Sequence, residues 1–112
     1  MDGNLSENDS DMSAEAVEQA RLLKVMGNPW RLRILGLLAE APQQVSDLEE
    51  ALGLGQAYVS QQLARLRAEG IVAGDRSGRA VLYRVVDERV GPVLQALCRY
   101  QTASQSGRVG KI

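Results

Sequence analysis

The chain has 112 residues, 45% of them hydrophobic, which supports one compact domain with a modest core and not two. Its formal net charge of −1 hides an asymmetry: residues 1–18 hold six acids and no base, leaving thirteen bases against eight acids, a balance of +5, in residues 19–112. The composition excludes several classes. Without histidine the usual acid–base and nucleophile constellations cannot be assembled, so the chain is read as no enzyme. No apolar run approaches the roughly twenty residues of a membrane span, and the N-terminus lacks the basic and apolar stretches of a signal peptide. A single cysteine, Cys98, permits no intrachain disulfide, so the expected location is the reducing cytoplasm, with no membrane partner.

Residues 1–12 are polar and acidic with little to bury and read as a disordered tail. The folded domain is expected over residues 13–103, opening with a helix that Ser13 caps and Gly27 ends. Val17, Leu22, Leu23, Val25 and Met26 place apolar groups on more than one of its faces, which suits burial against both its own domain and a partner copy. Asn28–Pro29 is a cap followed by a first-turn residue. The helix it opens, Trp30 to Glu40, brings Leu32, Ile34, Leu35, Leu37 and Leu38 to the core. Ser46-Asp47-Leu48-Glu49 reads as a capping box, Ser46 accepting from the third backbone N–H and Glu49 reaching back. Gly53 closes the short helix that follows, and the box accounts for the local cluster of Asp47, Glu49 and Glu50.

Gly53-Leu54-Gly55 leads straight into a helix from Gln56 to Arg67, and two helices joined by a three-residue glycine turn form a helix-turn-helix. Val59, Leu63 and Leu66 recur at i, i+4 and i+7 as its inner edge. Gln56, Tyr58, Ser60, Gln61, Gln62, Arg65 and Arg67 fill the remainder with short or planar hydrogen-bonding groups and cations, where a merely solvated helix carries Glu and Lys. Gly70 ends this helix. Residues 71–76 and 80–86 alternate as strands around the hairpin signal Ser77–Gly78, with Arg76 and Arg79 flanking the tip. Asp87 initiates a last helix, irregular through Gly91–Pro92 and regular from Pro92 to Ala103. Val93, Leu94, Leu97, Cys98 and Tyr100 exceed what one small domain covers, so this helix and the first are expected to form a symmetric dimer seam. Residues 104–112 read as a flexible tail.

Five arginines (Arg65, Arg67, Arg76, Arg79, Arg84) face only Glu69 and Asp75 within residues 60–85, which puts the basic surplus on the helix and the hairpin. The fold class is therefore mainly α with a two-stranded β wing, a winged helix-turn-helix in the order α-α-α-α-β-β-α. Gln56, Ala57, Tyr58, Ser60 and Gln61 are the expected base readers, glutamine suiting adenine N6/N7 and Ala57 a thymine methyl. Gln62, Arg65, Arg76 and Arg79 are the expected phosphate anchors. Arg33 and Arg67 either assist or pair with acids. The partners implied are double-stranded DNA and a second copy of the chain, with half-sites about one helical turn apart. The alternative is a winged helix used as a protein–protein module, which would show no salt-dependent duplex binding.

The element order and the run Gly55-Gln56-Ala57-Tyr58-Val59-Ser60-Gln61-Gln62-Leu63-Ala64-Arg65-Leu66-Arg67-Ala68-Glu69-Gly70-Ile71-Val72 resemble the ArsR/SmtB family of bacterial transcriptional repressors. Asn28-Pro29-Trp30-Arg31-Leu32-Arg33-Ile34-Leu35 resembles that family's opening of the second helix, and Val81-Leu82-Tyr83-Arg84-Val85 its second wing strand. The likeness covers roughly residues 15–100. It implies a dimer that occupies a palindromic operator and leaves it when an inducer binds.

The resemblance also says where an inducer would act. Family metal sites use cysteines near the start of the third helix, or Asp and His on the last. Gln44-Val45-Ser46-Asp47-Leu48 has no cysteine, and no histidine partners Asp87 and Glu88. No metal and no cofactor are expected, because soft metals need thiolate or imidazole. A thiol-sensing branch bridges the second and last helices through two cysteines. Here Gly36 stands at the first position, and Cys98 has no intrachain partner. Cys98 is then either a small buried hydrophobe or the site of a redox or reactive-sulfur response.

Overall fold

The computed structural model describes the backbone of residues 2–109 and the side chains of residues 13–99. Its elements are α1 (Asp2–Met26), α2 (Pro29–Glu40), α3 (Val45–Leu52), α4 (Gln56–Ala68), β1 (Val72–Ser77), β2 (Ala80–Val85) and α5 (Val90–Val109). This is the expected order, and two of its boundaries differ at the ends. α1 begins at Asp2 rather than Ser13, so the backbone of the acidic stretch read as a disordered tail is helical; no proline interrupts it, and its acids stand toward the positive end of the helix. α5 likewise runs from Val90 past Ala103 to Val109, with Gly91 and Pro92 in its first turn, where the missing proline N–H has no partner to lose. Met1 and residues 110–112 lie outside the described residues.

Every element contributes to one core, except β2, whose Tyr83 and Val85 pack against it half-buried. Leu22, Val25 and Met26 come from α1, Ile34, Leu35 and Leu38 from α2, Leu48 and Leu52 from α3, and Val59, Leu63 and Leu66 from α4. Ile71, Val72 and Val90 complete it. Each such aliphatic side chain contributes about 1.5–3 kcal/mol on burial. Leu32 and Leu37, expected with these, are only half-buried at the rim of the core.

The caps explain where the helices begin. Asn28 holds an extended backbone, and its Oδ1 accepts from the N–H groups of Trp30 at 2.9 Å and Arg31 at 3.1 Å, as the Asn–Pro signal requires. The third helix starts differently from expectation. Its N-cap is Gln44 and its first residue Val45; the Asp47 carboxylate accepts from the Gln44 N–H at 2.9 Å, so Ser46 and Glu49 do not form the box. The cause is tertiary. Gln43 exchanges backbone hydrogen bonds with Tyr83 at 3.0 and 2.8 Å, holding the chain extended up to Gln44 and leaving Val45 as the first residue free to turn.

β1 and β2 pair antiparallel from Val72↔Val85 to Ser77↔Ala80. The two loop residues are therefore Gly78 and Arg79, one position beyond the expected Ser77–Gly78. Gly78 supplies the positive φ of +64° that this tight turn demands. Gly74 lies opposite Tyr83, and a Cβ there would meet the Tyr83 ring and the Val81 side chain at 3.1 Å, so the aromatic ring covers the glycine.

Candidate nucleic-acid interface

α4 is aimed by the turn before it. Gly53 takes the left-handed conformation at φ +68°, and Gly55 caps α4 in an extended one. Val59, Leu63 and Leu66 are fully buried beneath the helix. At about 100° per residue the side opposite them carries Ala57, Gln61, Ala64 and Ala68. All four are exposed. Gln56 and the half-buried Ser60 flank this strip on one side, and the half-buried Tyr58 on the other. Of the five expected base readers, Gln56, Ala57 and Gln61 thus present freely accessible side chains. Ala64 was not singled out by the sequence, although its i+7 spacing from Ala57 was the available signal. Three alanines around one glutamine give a strip low enough for a groove floor to approach.

Gln62 is corrected. It was expected on a phosphate, but it is 9% exposed, and its Oε1 accepts from Arg31 Nη1 at 3.0 Å. It lies within the buried arc, three residues after Val59 and four before Leu66. Arg65, also expected on a phosphate, stays at the surface 3.7 Å from the Glu69 carboxylate, which Arg21 approaches from α1 at 3.9 Å. Exposed pairs of this kind are worth about 0–1 kcal/mol, so Arg65 is attenuated rather than locked.

The wing divides its arginines by face. Directly paired residues share a face, so Arg76 and Val81 lie on the side of Gly74 and Tyr83, whereas Asp75 and Arg84 lie on the other. Arg84 Nε donates to Asp75 Oδ2 at 2.5 Å. Arg76 and Arg79 are exposed and have no carboxylate partner among the described residues. Arg33, left open by the sequence, extends from α2 with its guanidinium 5.7 Å above the Trp30 ring, and Arg67 is exposed without an ion pair among the described residues.

α2, α3 and α5 line an open cavity of about 530 Å³ with Gly36 on one wall and Cys98 on another. In the single chain the Cys98 side chain is exposed and lines this opening. A Cβ on Gly36 would meet no atom within 4 Å. Before α5, the Asp87 carboxylate accepts from the Arg89 N–H at 2.9 Å, Nε at 3.0 Å and Nη2 at 2.7 Å, and these bonds hold its carboxyl below the ordinary carboxylate range. Among the described residues, no three His, Cys, Asp or Glu side chains converge on a metal-sized site, and no helix is long and apolar enough to cross a membrane.

A polar-faced helix delivered by a glycine turn, beside a hairpin with two uncommitted arginines, defines a winged helix-turn-helix DNA-binding regulator. The profile described as "Bacterial regulatory protein, arsR family" matches residues 28–73. The HTH-type transcriptional regulator NmtR of Mycobacterium tuberculosis is 43% identical over 82 residues, 73% of this chain and 68% of that protein. The biofilm growth-associated repressor of Xylella fastidiosa is 38% identical over 87 residues, 78% of this chain and 76% of that protein. Among solved structures, reduced HlyU from Vibrio cholerae superposes with a TM-score of 0.76 at 32% identity, covering 80% of this chain and 95% of that one. The homodimeric winged helix-turn-helix domain of Mb0332 from Mycobacterium bovis gives 0.70 at 29% identity, covering 80% and 83%. The chain belongs to the arsR family of bacterial transcriptional regulators, and these relatives are not enzymes.

Proposed function

We propose that the chain is a homodimeric, sequence-specific repressor that occupies a palindromic operator in the cytoplasm. The observation that carries this reading is the exposed α4 strip of Ala57, Gln61 and Ala64 beside Arg76 and Arg79 of the wing, which have no carboxylate partner among the described residues. The strip reads base edges in the major groove while the wing holds the backbone. Dimerisation is supported by the apolar side chains that α1 and α5 leave in solvent, Val17 at 57%, Leu23 at 55% and Leu97 at 48% exposure. An apolar groove between these helices, lined by Leu22, Leu23, Pro92 and Val93, fits a second copy. Gel shifts with duplex from the protein's own upstream region, with mass measured by light scattering, test both statements. A monomer, or a protein that binds no duplex in a salt-dependent way, favours the protein–protein module instead.

A second reading concerns release. The place of Cys98 on the wall of the cavity between α2 and α5 supports an inducer that modifies this thiol, an oxidant or a reactive sulfur species. Release of the operator by oxidant or persulfide donor in the wild type, and its loss in Cys98→Ser, is the expected outcome. Release that persists in Cys98→Ser removes the cysteine from the response.

A further inference from the structure

Gln62 is the one buried polar side chain among the described residues, and it is bonded to the one arginine that reaches three helices. Arg31 stands in the first turn of α2, where a cation opposes the helix dipole. Its surroundings offset that cost. Nε donates to the Val25 carbonyl at 2.6 Å and Nη1 to Gln62 Oε1 at 3.0 Å. Val25 lies in the last turn of α1, where carbonyls have no intrahelical donor, and the residue four positions on is Pro29, which has no N–H to offer. The guanidinium thus fills a carbonyl that the chain itself leaves unfilled, at the negative end of α1, and with its other arm reaches the middle of α4. A further polar link from α1, among the described residues, runs from Arg21 to Glu69 at the end of α4, a surface pair at 3.9 Å with the arginine side chain 63% exposed.

We propose that Arg31 and Gln62 are positioning residues for DNA reading: through them the end of α1 fixes the angle and register at which α4 is presented. This rests on the DNA reading of α4 given above. Packing of Val59, Leu63 and Leu66 keeps α4 on the core but is non-directional, whereas the two hydrogen bonds specify one rotation of the helix about that apolar edge. Because α1 also contributes to the proposed dimer seam, the link transmits the geometry of the seam to both recognition helices. The half-site spacing that the dimer accepts then depends on it.

The experiment compares Gln62→Leu, Gln62→Glu, Arg31→Met and the double variant Arg31→Met/Gln62→Leu in the full chain. Each is titrated on the wild-type operator duplex, on a scrambled duplex, across a salt series, and on operators with half-sites moved apart or together by one base pair. Gln62→Leu is expected to lose about tenfold in operator affinity, to keep scrambled-duplex binding and the salt slope, and to accept altered spacings that the wild type rejects. Gln62→Glu, which retains an acceptor for Arg31, restores the spacing preference. The double variant is no weaker than the worse single one, because both substitutions break the same link. If Arg31→Met does not fold, the Leu-against-Glu comparison at Gln62 decides alone. An equal loss of affinity on the operator and the scrambled duplex overturns the proposal and returns Gln62 to a phosphate. Unchanged spacing preference in Gln62→Leu overturns it as well. A wild type that binds no duplex overturns the DNA reading itself, which is a separate result.

Discussion

Replacing Arg76 and Arg79 together by alanine should flatten the salt dependence of duplex binding. Both side chains are exposed and free of carboxylates among the described residues, and a dimer presents two wings, so four guanidinium groups are lost. On B-DNA each neutralised phosphate contributes about 0.9 to the slope of log K against log salt, so the slope should fall by about 3.6 when all four engage the backbone. Between about 50 and 200 mM salt the wild type should then lose about two decades more affinity than the variant. Arg84 provides the control, since Asp75 already neutralises it across the strands at 2.5 Å. Arg84→Ala should barely move the slope, and Asp75→Ala, which frees Arg84, should steepen it. Anisotropy titrations on one duplex over a salt series read all four proteins. An unchanged slope in the double variant, or an Arg84→Ala effect as large as the pair's, would refute the assignment of the wing.

Three further outcomes follow from individual contacts. Gln61→Ala should alter base preference at one position per half-site by about 1–3 kcal/mol while leaving the salt slope intact, as measured by selection from a randomised operator. Leu35→Ala, at a side chain with no exposure, should cost about 2–5 kcal/mol in denaturant unfolding. Asp87→Asn should lower Tm at neutral pH by removing the negative charge and the Oδ2 acceptor that hold the Arg89 guanidinium at the entry to α5. The Asp87 carboxyl is depressed in the folded state, so its contribution is complete above the unfolded value of about 4 and is lost as pH falls through the folded value; the Tm gap between wild type and variant should therefore close in acid.

What the sequence reveals and what it conceals divide along a physical line. Asn28–Pro29, Gly53 and Gly70 are local devices, each acting on backbone within four residues, and all three do in the structure what their residue types require. The start of α3 was misplaced because glutamine is a weak capping signal and because the decision was made by Tyr83, forty residues away. Gln62 was misread for a related reason. Its polarity placed it with the DNA-facing groups, while its position between Val59 and Leu66 placed it inside, and the partner that makes burial tolerable is thirty-one residues distant. Arg31 did leave a trace: a cation in the first turn of a helix calls for a compensating negative group nearby. The exposure of Gln56, Ala57 and Gln61, the proposed base readers, was legible because helical period alone sorts α4 into an inner and an outer side. The wing arginines were only half legible, since which of them a strand neighbour neutralises depends on register.

Register in turn bears on how a chain of net charge −1 binds a polyanion selectively. The acids nearest the interface are placed on arginines: Asp75 on Arg84, and Glu69 on Arg65. This leaves Arg67, Arg76 and Arg79 as the cations of the α4 and wing region without a carboxylate partner among the described residues. Non-specific affinity is set by the number of phosphates neutralised, whereas specific affinity adds the contacts of α4 with base edges. Withholding two arginines from the backbone lowers both affinities together in the phosphate contribution but leaves the base contribution untouched, so its share of the total rises. The ratio of operator to competitor binding is then set by the base contacts, while weaker phosphate contacts shorten residence on every duplex alike. On this argument Asp75→Ala is no simple improvement. By adding a free cation to each wing it should tighten binding to every duplex and lengthen residence on scrambled DNA, with the ratio of operator to scrambled affinity unchanged.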